Sequence, residues 1–145
     1  MHIELDAEYG YVILATIGLM ITNLLLGERV ALARKKYHVK LPAMYGPDTK
    51  EGNAFSRIQR GHQNFLETLP DVFVAHLICG LTRPLLTSAM CALYIAGRFA
   101  YAYGYASAPK LRLYGTPFIV IARLFHLYGL GEMVYSMLYA SSSPQ

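Results

Sequence analysis

The chain has 145 residues, of which 54% are apolar, and a formal net charge of +4. That length allows one domain or one small bundle, and so apolar a composition is rare in a soluble domain of this size. Lys and Arg crowd into residues 29 to 60 beside an apolar segment, which points to a membrane surface and away from nucleic acid.

The opening "MHIELDAEYG" is acidic and lacks the positive n-region of a cleavable signal peptide. The first apolar segment is therefore expected to remain as an anchor, with no myristoylation, prenylation or KDEL-type signal. Residues 10 to 27, "GYVILATIGLMITNLLLG", contain no charge. At ~1.5 Å per residue they nearly cross a hydrocarbon core of ~30 Å, and flanking residues extend the helix to about 9–36. A basic stretch follows and becomes a loop, with Pro42, Gly46, Pro47, Gly52 and Asn53 as breakers.

A second helix is expected over about 54–82, bent at Pro70, with a polar first half and an apolar second half. A third runs over about 85–106, and a fourth over about 114–139 with Pro117 in its first turn. The tail "SSSPQ" is polar and expected to fray. The reading is a single all-α domain over residues 1–145, a four-helix up-down bundle integral to the membrane. The connections after helices one and three hold most of the Lys and Arg, and the opposite side holds only Arg83. The positive-inside rule then places the long first loop in the cytoplasm and both termini across the membrane.

Charges inside membrane helices are costly and mark function. Arg60, Asn64, Glu67 and Asp71 fall at i, i+4, i+7 and i+11 on helix two, one stripe of one face. Tyr94, Arg98, Tyr101 and Tyr105 repeat that spacing on helix three, and Arg112 lies seven residues beyond. Two readings stand. The charges are structural ion pairs, or the stripes line a polar pocket; two stripes of one spacing favour the pocket.

Arginine forks grip carboxylates, Glu67 and Asp71 fit an ammonium, and tyrosines supply a flat wall with hydroxyls. A small zwitterionic peptide meets all three demands. An arginine at the rim would also stabilise a thiolate.

Cys79 and Cys91 lie in apolar runs and read as packing residues, and no His pair has metal-ligand spacing. His62 and His76 read as core or interface histidines. Arg123, His126 and Glu132 are expected to serve subunit packing, and "ARKK" to set topology.

"RIQRGHQNFLE", "GRFAYAYGY" and "APKLRLYG", in that order, resemble the MAPEG family of membrane-associated eicosanoid and glutathione proteins, closest to its microsomal glutathione transferase type three subgroup. The resemblance implies a homotrimer in the endoplasmic reticulum membrane, with glutathione as co-substrate bound between subunits, open to the cytosol, and no metal. By matched position, Arg60, Asn64, Glu67, Arg98, Tyr101 and Tyr105 would hold glutathione from one subunit. Arg34 and His62 would come from the neighbour, and Arg112 would stabilise the thiolate.

The implied activity is conjugation of glutathione to a lipophilic electrophile or reduction of a lipid hydroperoxide. Leukotriene C synthesis is a further activity within the family. Ser56 stands where the family signature has Glu, and Thr68 where the leukotriene branch has Tyr; the tail lacks the cysteines of vertebrate type-three members. The alternatives are a non-enzymatic lipid-presenting scaffold of the same family and an unrelated channel or transporter.

Overall fold

The structure is a computed structural model that describes residues 5–139. The polar tail and the start of the acidic N-terminal segment lie outside the described residues. Four helices follow in order: α1 (Tyr9–Lys36), α2 (Lys50–Gly80), α3 (Pro84–Ser107) and α4 (Thr116–Tyr139). A 3-10 turn, Pro109–Tyr114, joins α3 to α4.

Local chemistry sets the helix ends. Arg34, Lys35 and Lys36 occupy the last turn of α1, where cations oppose the negative end of the helix dipole. The chain leaves through a Schellman arrangement: Val39 N–H donates to Arg34 O at 3.1 Å and His38 N–H to Lys35 O at 3.3 Å. His38 takes the left-handed conformation this needs, at φ 54°. Val39 then packs with Val30, Ala33 and Phe55 in a small cluster beneath the first loop.

The α2 helix starts at Lys50, earlier than the expected 54, because Thr49 Oγ1 accepts from Gly52 N–H at 3.0 Å and caps it. Gly52 and Asn53, read in the sequence as breakers, lie inside its first turn, and the helix runs on through Pro70. Pro84 opens α3 at a position where its missing N–H costs nothing.

The helices pack as a bundle, with α2 and α3 each touching the other three α-helices. Leu19 and Leu26 of α1, Phe65 and Val72 of α2, Cys91 and Tyr94 of α3, and Ile119 and Ala122 of α4 share one core. Both cysteines are free and buried, as packing residues should be. Outside the core the bundle is apolar: Leu14, Leu24, Leu124 and Leu127 are all exposed. In water such a surface would be a liability; in a bilayer it is the ordinary exterior.

By length and composition α1, α3 and the segment Pro109–Tyr139 are each able to cross a membrane. The α2 helix carries Arg57, Arg60, Glu67 and Asp71, in keeping with its expected polar first half, and is not among the three. Arg123 and Glu132 each have an ion-pair partner within the chain. Arg123 Nη2 lies 2.6 Å from Asp71 Oδ2, and Arg83 Nη1 lies 2.7 Å from Glu132 Oε2. His126 is buried in the same chain against His76.

Candidate functional site

The two polar stripes meet where α2 packs on α3, but they play different parts. Arg60 Nη1 donates to Glu67 Oε1 at 2.8 Å, spanning two turns of α2, and the two side chains remain 42% and 44% exposed. A cation and a carboxylate are therefore presented side by side on an open face. Asn64, between them in sequence, turns inward: its Oδ1 accepts from Arg98 Nη1 at 2.9 Å.

Arg98 is only 2% exposed. Its Nη2 donates to Thr68 Oγ1, which also shares a 2.9 Å hydrogen bond with the Tyr94 hydroxyl. The guanidinium carbon lies 4.9 Å from the Tyr94 ring centroid and 6.0 Å from that of Tyr101. Among the described residues no carboxylate pairs with Arg98; two neutral oxygens and aromatic faces hold its charge. Arg98 Nε, also buried, has no hydrogen-bond partner among the described residues. Its Nη1 and Nη2 donate to Asn64 and Thr68, so it clasps α3 to α2. Thr68 is short enough to turn toward Arg98, a role a tyrosine at this position would not fill.

Tyr101 and Tyr105 stack one turn apart, with ring centroids 6.0 Å from each other. Arg112 rides on the 3-10 turn with its guanidinium carbon 5.9 Å from the Tyr105 ring centroid. Glycines bring that turn so close. A Cβ on Gly104 would collide with the Leu111 carbonyl, and one on Gly115 with the Gly97 carbonyl and the Tyr101 backbone. The turn thus folds flush against α3 and delivers Arg112 beside the tyrosines.

Arg34 and His62 do not join this group within the chain. Arg34 Nη1 donates to Ala43 O at 2.7 Å while its guanidinium covers the Phe55 ring at 4.8 Å, tying α1 to the first loop. His62 Nε2 lies 3.0 Å from Asn23 Oδ1, on the side of α2 that faces α1. Asp71, the last member of the α2 stripe, leaves it for Arg123.

The structure adds residues the spacing did not single out. A cavity of about 390 Å³ beside the first loop is lined by Tyr45, Ser56, Arg57, Arg60 and Tyr105, among others. Arg57 Nε donates to Ala106 O at 3.1 Å and pins the end of α3; its place one turn before Arg60 was the available signal. The Tyr45 hydroxyl donates to Gln63 Oε1 at 2.7 Å, bringing the first loop over the cavity. Nothing in the loop's own pattern marks Tyr45. Ser56 accepts from Gly46 N–H at 3.0 Å and donates to Gly52 O at 2.8 Å, so this departure from the family signature fastens the same loop.

Long apolar helices with a charged, tyrosine-lined pocket at one end define a multi-pass membrane protein. The chain belongs to the MAPEG family, whose family model matches residues 12–130.

Proposed function

We propose that the protein is a membrane-bound glutathione transferase and peroxidase, closest in kind to the type-three microsomal branch. The observation that carries this is the exposed Arg60–Glu67 pair beside Tyr105, within reach of a rim arginine. Glutathione needs a cation for its carboxylates, an anion for its amine and a cation near its sulfur. Arg60, Glu67 and Arg112 are of those types, and the cavity beside Arg60 has room for part of a tripeptide.

In this reading Arg60 and Glu67 orient the ligand, while Tyr101 and Tyr105 wall it. Asn64 contributes from a position that Arg98 holds rigid. Arg112 lowers the thiol pKa, so that the bound thiolate supplies the nucleophile. The sulfur attacks an electrophile reaching the site from the bilayer. With an epoxide a C–S bond forms, a C–O bond breaks and the alkoxide takes a proton from water. With a lipid hydroperoxide the sulfur bonds the terminal oxygen as the O–O bond breaks and the alcohol leaves, and a second glutathione then attacks the resulting sulfenic acid to form the disulfide and release water.

The proposed assembly is a homotrimer in the endoplasmic reticulum membrane with the site open to the cytosol. Arg34 and His62 would then reach the ligand from the neighbouring subunit. Half-exposed charges on α2, in a chain whose outer surface is apolar, favour cover by another copy.

The test is purified protein assayed with glutathione against a leukotriene-type epoxide and a lipid hydroperoxide side by side. Glutathione-dependent consumption of either is expected. Tight glutathione binding with turnover of neither would leave the scaffold reading, and no glutathione binding would overturn the proposal.

A further inference from the structure

Tyr45 stands on the first loop, yet it lines the same cavity as Arg60 of α2 and Tyr105 of α3. The loop is tied down on both sides of it. Two residues before, the Ala43 carbonyl accepts from Arg34 Nη1 at 2.7 Å. One residue after, Gly46 N–H donates to Ser56 Oγ at 3.0 Å. Gly46 also lies directly on the start of α2: a Cβ there would collide with the Gly52 backbone, and a Cβ on Gly52 with the Pro47 carbonyl. Asn53 Nδ2 adds to the fastening by donating to Asp48 Oδ1 at 2.9 Å. A side chain between two such anchors is presented from a fixed backbone.

The Tyr45 hydroxyl is less firmly committed than the backbone that carries it. It donates to Gln63 Oε1, a neutral amide oxygen, at 2.7 Å, and Tyr45 is 44% exposed. The Arg60 guanidinium interacts electrostatically with the same hydroxyl. Arg60 and Glu67 in turn lie 2.8 Å apart. A cation and an anion that close match an α-carboxylate and an α-ammonium on one carbon, the head of a γ-glutamyl group, better than charges at opposite ends of a tripeptide. A carboxylate seated at Arg60 then lies beside the Tyr45 hydroxyl.

We propose that Tyr45 is a specificity-determining residue for the γ-glutamyl head: its hydroxyl leaves Gln63 and donates to the α-carboxylate held by Arg60. The exchange is favourable because a hydrogen bond to a carboxylate is about twice as strong as one to a neutral acceptor. A thiol lacking that carboxylate leaves the hydroxyl on Gln63 and gains nothing from it. The assignment deepens the proposed function and rests on it. The competing account is a latch, in which the Tyr45–Gln63 bond only fastens the loop.

The experiment is isothermal titration of the purified full chain with three ligands: glutathione, its glycine ethyl ester, and 4-aminobutanoyl-cysteinylglycine, which lacks only the α-carboxylate. Tyr45→Phe keeps the ring and should weaken glutathione and the ethyl ester alike, by about fivefold to tenfold, while changing the affinity of the aminobutanoyl analogue less than about twofold. Gln63→Met removes the resting acceptor at similar length. It should tighten glutathione binding about twofold in the parent protein and have no effect in the Tyr45→Phe background.

Glutathione affinity unchanged by Tyr45→Phe would overturn the proposal. So would equal losses for all three ligands, or a Gln63→Met loss as large as that of Tyr45→Phe, since both are what a latch gives. A loss that vanishes with the ethyl ester would place the hydroxyl on the glycine carboxylate and overturn the assignment to the γ-glutamyl head. Parent protein that binds no glutathione overturns the functional reading and this proposal together, whereas parent binding with any of the other results removes this proposal alone.

Discussion

Arg60 on α2 and Arg98 on α3 belong to stripes of identical spacing, yet they have opposite fates. Arg60 is 42% exposed and salt-bridged to Glu67, whereas Arg98 is 2% exposed and has no carboxylate partner among the described residues. The α2 stripe offers the Arg60–Glu67 pair on an open face, and Arg98 of the α3 stripe holds Asn64 and Thr68 in place. Helical spacing identifies a face. It does not say whether that face opens outward or closes against a neighbour.

The comparison breaks most sharply at Arg98. Arg98→Ala should lower stability by ~3 kcal/mol or more, because it leaves a cavity and strands Asn64 and Thr68. Thermal unfolding in detergent reads this directly. If Arg98→Ala melts with the parent protein and loses only glutathione affinity, the division between a holding and an offering stripe is wrong.

Next comes Arg112, which should act on chemistry alone. Arg112→Ala is expected to lower turnover at saturating glutathione ~100-fold and leave its dissociation constant within ~2-fold, the signature of a group needed in the reactive state. Turnover that survives intact removes the assigned role. Gly104→Ala should act in the same direction by ~10-fold, because displacing the 3-10 turn moves Arg112 off the tyrosines.

Arg60→Ala should weaken glutathione binding ~10-fold with little change in melting, since an exposed ion pair contributes little to stability. Isothermal titration and a melt on the same sample separate the two effects. A melting loss as large as that of Arg98→Ala would make Arg60 a structural residue as well. The smallest effect lies outside both stripes. His38→Gly relieves a left-handed non-glycine residue and should raise stability by ~0.5 kcal/mol without touching turnover. A change in glutathione affinity would instead couple the end of α1, and Arg34 with it, to the site.

Much of the frame was legible beforehand. The uncharged run in α1, the proline at the start of α3 and Pro117 in the first turn of α4 each mark a helix through local chemistry. The start of α2 was missed because Gly52 and Asn53 look like breakers until Thr49 is seen to cap them. The Arg60–Glu67 pair was legible because both partners lie on one helix, two turns apart. The Arg123–Asp71 and Arg83–Glu132 pairs were not, because their partners lie on different helices.

The amino-acid order alone determined an apolar four-helix chain and the presence of two polar stripes, since hydropathy and periodicity are properties of single segments. Only the packed bundle decided which stripe faces outward, where Asp71 finds its cation, and how glycines carry Arg112 to Tyr105. The physical reason is that rotation of a helix about its own axis is fixed by its neighbours, which no pattern within one helix records.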